Sequence, residues 1–134
     1  MSAAYESLSA PVQAFLGGLE AYHSLEQMAK RLANQNLQVT FDPSTWPPVK
    51  HPVIATHPRT RRKVLNVNYN WTTHVDGLSL DESDAILKFI YEHVKRPEFQ
   101  VRLRWNVGDV AFWDNRATQH YAVVILPEIK GIDK

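Results

Sequence analysis

Three residues of this sequence have side chains of the types that hold non-haem iron(II). His74 and Asp76 form a His-x-Asp pair, and His120 follows further along the chain. An iron(II) oxygenase binds its metal through two imidazoles and one carboxylate, which leaves open positions for a bidentate keto acid and for O2. The pair alone is a weak signal, because Asp76 and Gly77 precede a capped helix pattern and also fit an ordinary turn. The spacing therefore suggests an iron site as a hypothesis, but it favours an ordinary turn at residues 76–77.

Other kinds of site find less support. His51 and His57 each precede a proline, His23 lies in an apolar strand-like stretch, and His93 is expected on the exposed side of a long helix, near its C-terminal end. Zero cysteines exclude disulfides, thiolate zinc sites and a Cys nucleophile. The sequence has no Gly-x-Ser-x-Gly motif, which would indicate a serine hydrolase. It also has no glycine-rich loop before a helix pattern, which would indicate a nucleotide-binding site.

Composition sets the class of protein. With 134 residues, of which 44% are hydrophobic and 22% charged, the chain has room for one domain with one core. Its formal net charge is +1, and the basic run at 59–63 fits a solvated hairpin turn, so no nucleic-acid partner is indicated. No apolar stretch approaches the roughly 20 residues that span a bilayer. Together with the lack of cysteine, these features predict a soluble, cytoplasmic protein without a membrane partner.

Hydrophobic spacing and turn residues predict the elements that must position these side chains. The clearest is a helix over 79–96, because Ser79 and Glu82 fit a capping box and apolar residues recur at helical spacing up to Pro97. The other predictions begin with a helix over 2–16, with Ser9 as a candidate N-cap and Pro11 tolerated in the first turn. A strand over 21–25, a weak helix or irregular excursion over 26–37 and a proline-rich loop over 42–52 follow. The last are a hairpin of strands 53–57 and 64–68 and a second hairpin, with one buried face, of strands 99–105 and 110–113.

The segment from Pro97 to Val123 carries the strongest functional signal. It contains a strand-like Arg/Trp stretch, a Gly-Asp turn, the run Trp-Asp-Asn-Arg, and then Thr-Gln-His-Tyr-Ala. In this order it closely resembles the C-terminal half of the TauD/TfdA dioxygenase family, and the resemblance extends over roughly residues 3–123. It implies an α+β fold, namely a partial double-stranded β-helix of the jelly-roll or cupin-like kind with flanking helices, in a single domain over 1–134.

The resemblance also implies roles for particular residues. His120 matches the distal histidine of the family's iron triad, which binds Fe(II) through one ring nitrogen while a neighbouring acceptor holds the other. Trp71 falls where the family has an aromatic residue beside the substrate, and Asn68 and Tyr69 lie next to it; a pocket and a core role both fit these three. Residues 113–116 would be the scaffold that presents His120.

The chemistry implied by the resemblance is that of taurine catabolism. Fe(II) would be the cofactor, and 2-oxoglutarate and O2 the co-substrates. A small anionic substrate, such as a sulfonate or a sulfate ester, would be hydroxylated with release of succinate and CO2.

Parts of the family's iron site have no counterpart in this sequence. The family's first histidine and its carboxylate precede the stretch matched by residues 5–19, and its keto-acid Arg follows the stretch that ends at Val123. His74 and Asp76 align elsewhere, so they are not assigned to the triad. We expect a truncated gene product or gene model whose catalysis is impaired in this chain alone.

Two other hypotheses stay open. In one, the chain is a non-catalytic remnant that associates with itself as a homo-oligomer or with an intact relative, because a jelly roll without its end strands leaves unpaired edges. In the other, His74, Asp76 and His120 form a genuine local triad.

Overall fold

Two short helices begin the chain. A computed structural model of the protein describes residues 1–34, 42 and 45–121, and it places α1 at Ser2–Glu6 and α2 at Ala10–Gly17. The predicted single helix over 2–16 is therefore broken. Pro11 has no N–H, and its ring would clash with the carbonyl one turn back, so the chain leaves the helix and restarts with Pro11 in the first turn. Ser9 adopts an extended backbone as the N-cap of α2, which confirms the predicted cap.

A three-stranded antiparallel sheet follows. Strand β1 (Glu20–His23) lies between β2 (Val49–Pro52) and β5 (Thr72–Val75). The prediction of a loop over 42–52 is wrong at its end, because residues 49–52 form β2. Among the described residues, this strand has β1 as its one neighbour in the sheet. An edge strand tolerates the proline at its end, since no second ladder needs the missing donor. Residues 43 and 44 lie outside the described part.

A two-stranded hairpin lies beside this sheet. Strands β3 (Ile54–Thr56) and β4 (Lys63–Leu65) pair antiparallel, which confirms the predicted hairpin, but its second strand ends at Leu65 rather than at residue 68. Its turn is closed by backbone hydrogen bonds between His57 and Arg62 (2.9 Å) and between Arg61 and His57 (2.9 Å). Arg61 has φ of 60°, a left-handed conformation that side-chain-bearing residues rarely adopt.

Two further helices pack around the sheet. Helix α3 (Glu26–Asn34) confirms a helix in the region predicted as a weak helix or excursion, whose residues 35–37 lie outside the described part. Helix α4 (Leu80–Val94) confirms the clearest prediction. Its Ser79 cap and Glu82 form the expected capping box, and Ser83 fixes the helix to β5 by accepting the Val75 N–H at 2.9 Å.

The core draws on helices α1, α2 and α4 and on strands β1, β3, β4 and β5. Its buried apolar residues are Ala4, Leu8, Leu16, Ala21, Val53, Ile54, Leu65, Val67, Val75, Leu87 and Ile90. His93, predicted to be exposed, is instead buried at the end of α4: its Nε2 lies 2.9 Å from the Ala4 carbonyl oxygen and 3.0 Å from Ser7 Oγ. The helix pattern located His93 near the C-terminal end but gave no sign that α1 packs there.

The stretch from 100 to 121 contains no strand in the described structure, so the predicted hairpin over 99–113 is wrong. Its turn is present: the Asn106 N–H donates to Asp109 Oδ2 at 2.8 Å, and Gly108 has φ of 94°. The flanking residues do not pair, and their apolar side chains face solvent, as the exposed fractions of Val101 (96%) and Phe112 (94%) show. Turn chemistry is local, whereas a strand also needs a partner. The exposed large apolar side chains of residues 101–112 are called here the exposed apolar stretch; they are Val101, Leu103, Trp105, Val107, Val110 and Phe112.

Candidate functional site

His120 lies on the surface, where its ring packs against an indole. The ring centroids of His120 and Trp113 are 4.9 Å apart, with the planes at 52°. Among the described residues none accepts a hydrogen bond from the His120 ring, so the implied acceptor for its second nitrogen stays a prediction. The imidazole is accessible and held on one side by an aromatic face.

A turn before His120 carries the predicted scaffold residues. Asp114 accepts the Arg116 N–H through Oδ1 at 2.9 Å, and its carbonyl accepts the Ala117 N–H at 3.1 Å. The Trp113 indole N–H donates to Asn115 Oδ1 at 2.8 Å. These local bonds fold residues 113–117 into a turn and set the direction in which the chain continues to His120.

Within the described residues, three hydrogen bonds attach residues 113–119 to the rest of the molecule. His57 Nε2 and Asp114 Oδ2 are 2.8 Å apart, Gln119 Nε2 donates to the Val67 carbonyl at 2.6 Å, and the Met1 amino group donates to the Ala117 carbonyl at 3.1 Å. The hydrogen bond from His57, and then that from the Arg116 backbone, hold the pKa of the Asp114 carboxyl below its usual value. The described part of the chain thus holds the segment of His120 by single contacts rather than by a strand ladder.

The three predicted substrate-side residues form a tight loop next to this segment. The Asn68 carbonyl accepts the N–H groups of Trp71 (3.1 Å) and Thr72 (2.8 Å), while its side chain accepts the Asn70 N–H at 2.8 Å. Val67, which Gln119 contacts, immediately precedes the loop. The Gln119 contact therefore brings the residue before His120 against the residue before Asn68.

Tyr69 and Trp71 differ in their surroundings. Tyr69 is 62% exposed and lies edge-on to the ring of Tyr91 at 5.5 Å, whereas Trp71 is partly buried and its carbonyl accepts the Ser24 N–H at 2.8 Å. Burial raises the pKa of Tyr91 to about 12, so its hydroxyl stays protonated and donates to the Asn68 carbonyl at 3.4 Å. Tyr69 thus presents an aromatic surface, while Trp71 also supports the sheet.

The two residues of the His-x-Asp pair, His74 and Asp76, contact other side chains. His74 stacks on Tyr22 with ring centroids 4.8 Å apart, and Asp76 forms an ion pair of 3.0 Å with Lys50. In the part of the chain that the structure describes, no three His, Asp or Glu residues lie together so that they could hold a metal ion. The described residues therefore supply one candidate donor, His120, and do not fit a complete iron triad.

Comparison with known proteins decides the family. Residues 1–127 match the family model described as taurine catabolism dioxygenase TauD, TfdA family. The chain belongs to the TauD/TfdA family. This confirms the resemblance carried by the segment around His120.

Named relatives and solved structures agree with this assignment. The chain is 36% identical over 133 residues to an alpha-ketoglutarate-dependent sulfate ester dioxygenase of Pseudomonas putida, covering 91% of this chain and 42% of that protein. It is 34% identical over 122 residues to an alpha-ketoglutarate-dependent sulfonate dioxygenase of Saccharomyces cerevisiae, covering 90% of this chain and 29% of that protein. The crystal structure of a taurine dioxygenase from Burkholderia xenovorans superposes with a TM-score of 0.69 at 39% identity, over 87% of this chain and 36% of that one.

These similarities confirm the fold class and limit what can be carried over. The chain is α+β, with antiparallel sheets and flanking helices that correspond to part of the jelly-roll fold of the TauD-type dioxygenases. It spans about a third of the length of the curated relatives it matches. No described helix is long and apolar enough to cross a membrane.

Proposed function

We propose that this chain forms the distal-histidine part of an Fe(II)- and 2-oxoglutarate-dependent dioxygenase, as a single domain over 1–134, with His120 as one iron ligand. The observation that carries the proposal is the exposed imidazole of His120 beside Trp113, in a segment tied to the loop at 68–71, within a chain of the TauD/TfdA family. An accessible neutral imidazole is a common ligand of iron.

The relatives support the substrate class. Their names specify sulfate esters and sulfonates, so we propose a small anionic substrate of that kind, as in taurine catabolism. One oxygen atom of O2 would enter the substrate as a hydroxyl and the other would enter succinate, as 2-oxoglutarate loses CO2. Tyr69 and Trp71 would line the substrate side; the Asn68 side chain already accepts the Asn70 N–H, so we propose that it shapes the loop.

One donor binds iron weakly, which sets the expectation for this chain alone. A triad ligand set needs two further donors, and we propose that residues outside the matched stretch supply them in the relatives. Anaerobic addition of Fe(II) and 2-oxoglutarate to the purified chain should therefore give no charge-transfer absorption. A band abolished by Asp76→Ala would instead establish the local triad of His74, Asp76 and His120.

A second measurement tests His120 itself. Mn(II), added at low concentration to the full chain, should broaden the NMR signals of the His120 ring more than those of His51 or His74. The Trp113 indole signals should broaden with those of the His120 ring, because the two rings are 4.9 Å apart. His120→Gln should remove the broadening at Trp113, and His74→Gln should leave it unchanged. Equal broadening of the three rings would refute the assignment of His120.

The exposed apolar stretch favours an alternative function, that of a non-catalytic protein acting by association with itself or with an intact relative. Val101, Val107 and Phe112 present their side chains to solvent in this structure, and exposed apolar patches commonly mark interaction surfaces. Sedimentation velocity should then show a concentration-dependent oligomer that Val101→Lys with Phe112→Lys reduces to monomer. A monomer at every concentration would refute self-association.

We infer a cytoplasmic location and no nucleic-acid partner. The inference is supported by the absence of cysteine from the sequence and by the near-balanced charge of +1. Fractionation of cells that express the tagged protein would test the location, and recovery in the membrane fraction would contradict it.

A further inference from the structure

We propose that His57 is a positioning residue for the segment 113–120, and that it sets the place of the His120 ring through its hydrogen bond to Asp114. The relevance of this role to iron binding rests on the proposed function of His120, but the role itself can be measured without metal.

The imidazole of His57 is fixed at both nitrogens. Its Nδ1 accepts the Thr60 N–H at 3.1 Å, so the proton of the neutral ring lies on Nε2, which donates to Asp114 Oδ2 at 2.8 Å. The side chain is 6% exposed, and the backbone of His57 is bonded to Arg62 and Arg61 within the hairpin turn. His57 is thus a rigid donor built into the β3–β4 hairpin.

Asp114 passes this constraint to the turn that precedes His120. Its Oδ2 accepts from His57 while its Oδ1 accepts the Arg116 N–H, and its carbonyl accepts the Ala117 N–H. One carboxylate therefore joins two parts of the chain that are 57 residues apart in sequence. Hydrogen bonds with a charged acceptor are among the stronger ones in proteins.

The segment has little else to hold it in place. In the described part of the chain, residues 113–120 belong to no helix or strand, and the other contacts that attach them are those of Gln119 with Val67 and of Ala117 with the Met1 amino group. The hairpin, by contrast, has its own ladder and contributes Ile54 and Leu65 to the core. Loss of the His57 bond should consequently displace the segment and leave the hairpin folded.

The test uses the metal-free full chain and the NMR signals of the His120 ring, which the Trp113 indole at 4.9 Å should shift by its ring current. His57→Leu, which removes the donor, should move these signals more than halfway to the positions of an unstructured histidine. It should also raise hydrogen exchange at the Ala117 amide by about tenfold, the loss expected for one hydrogen bond to a charged group. His57→Gln, whose amide nitrogen can donate from a similar place, should restore most of the shift.

Matched controls separate positioning from general destabilisation. His74→Leu removes a histidine that stacks on Tyr22 and should leave the His120 signals unchanged. Asp114→Asn changes a half-exposed side chain rather than a buried ring; it keeps one oxygen acceptor for the Arg116 N–H and sets an amide N–H against His57 Nε2. It should reproduce the effect of His57→Leu, which provides the test if His57→Leu does not fold. Unchanged His120 signals in Asp114→Asn, or equal shifts in His57→Leu and His74→Leu, would overturn the proposal.

The outcome is independent of the iron assignment. A shift of the His120 ring in Asp114→Asn without preferred Mn(II) broadening would retain the positioning role and remove the ligand role. Preferred broadening of the His120 ring together with an unchanged ring position would retain the ligand role and remove the positioning role.

Discussion

Removal of the His93 imidazole should lower the free energy of unfolding by about 2–4 kcal/mol. Nε2 lies within hydrogen-bonding distance of the Ala4 carbonyl and of Ser7 Oγ, and the loss of these contacts accounts for about 1–2 kcal/mol. The ring also packs between Phe89 and Phe99, with centroids 6.0 and 5.2 Å away. Phe89 is 49% exposed, so the cavity can partly fill. The packing loss should therefore fall below the range of about 3–5 kcal/mol for deleting a fully buried aromatic ring, at about 1–2 kcal/mol.

Urea unfolding of the full chain measures this loss. His93→Ala should shift the midpoint by the whole amount, whereas His93→Phe keeps an aromatic ring and should show the loss of the hydrogen bonds alone. Glu92→Ala is the matched control, since its exposed ion pair with Lys95 should contribute less than about 1 kcal/mol. If His93→Ala were no more destabilising than Glu92→Ala, the last turn of α4 would not be held by α1 as described.

Three further predictions concern the turn, the sheet and the helix cap. Arg61→Gly should raise stability by about 1 kcal/mol in thermal unfolding, because glycine adopts the φ of 60° without strain. Burial, and then the neighbouring charge of His51, lower the pKa of His23 below 6.5. Its contribution to stability is therefore present above about pH 6.5 and lost as pH falls through the lowered pKa, a dependence that His23→Gln should reduce in urea titrations at pH 5 and 7. Ser79→Ala should cost about 1 kcal/mol in urea unfolding by removing the cap that Glu82 completes.

Specific results would contradict each of these. A destabilised Arg61→Gly would mean that the arginine side chain holds the turn. An unchanged pH slope in His23→Gln would assign the acid sensitivity to another group. A Ser79→Ala variant as stable as a substitution at exposed Lys88 would mean that the capping box contributes nothing measurable.

Local patterns in the sequence predicted the elements whose bonds are local. The capping box at Ser79 and Glu82 located α4, and the turn residues between β3 and β4 located that hairpin. Predictions failed where distant contacts decide the outcome. Residues 49–52 become a strand because β1 pairs with them, and the alternating residues of 99–113 find no partner in the described structure.

Predictions about the candidate site also depended on whether the signal is local in the sequence. The segment around His120 carries a family signature that can be read directly, so the sequence located this residue, whose ligand role remains a prediction. Nothing in the spacing of His57 and Asp114 indicates that they meet, since they are 57 residues apart and each sits in a turn with its own local explanation. Such a contact follows from the packing of the hairpin rather than from any residue pattern.

The exposed apolar stretch has a consequence for the thermodynamics of the chain. Any molecule that covers Val101, Val107 and Phe112 only in the folded state adds to stability by mass action, in proportion to the logarithm of its concentration. The melting temperature of the chain should then rise with the concentration of that molecule. Its dependence on concentration would report the affinity of whatever covers this surface, before that molecule is identified.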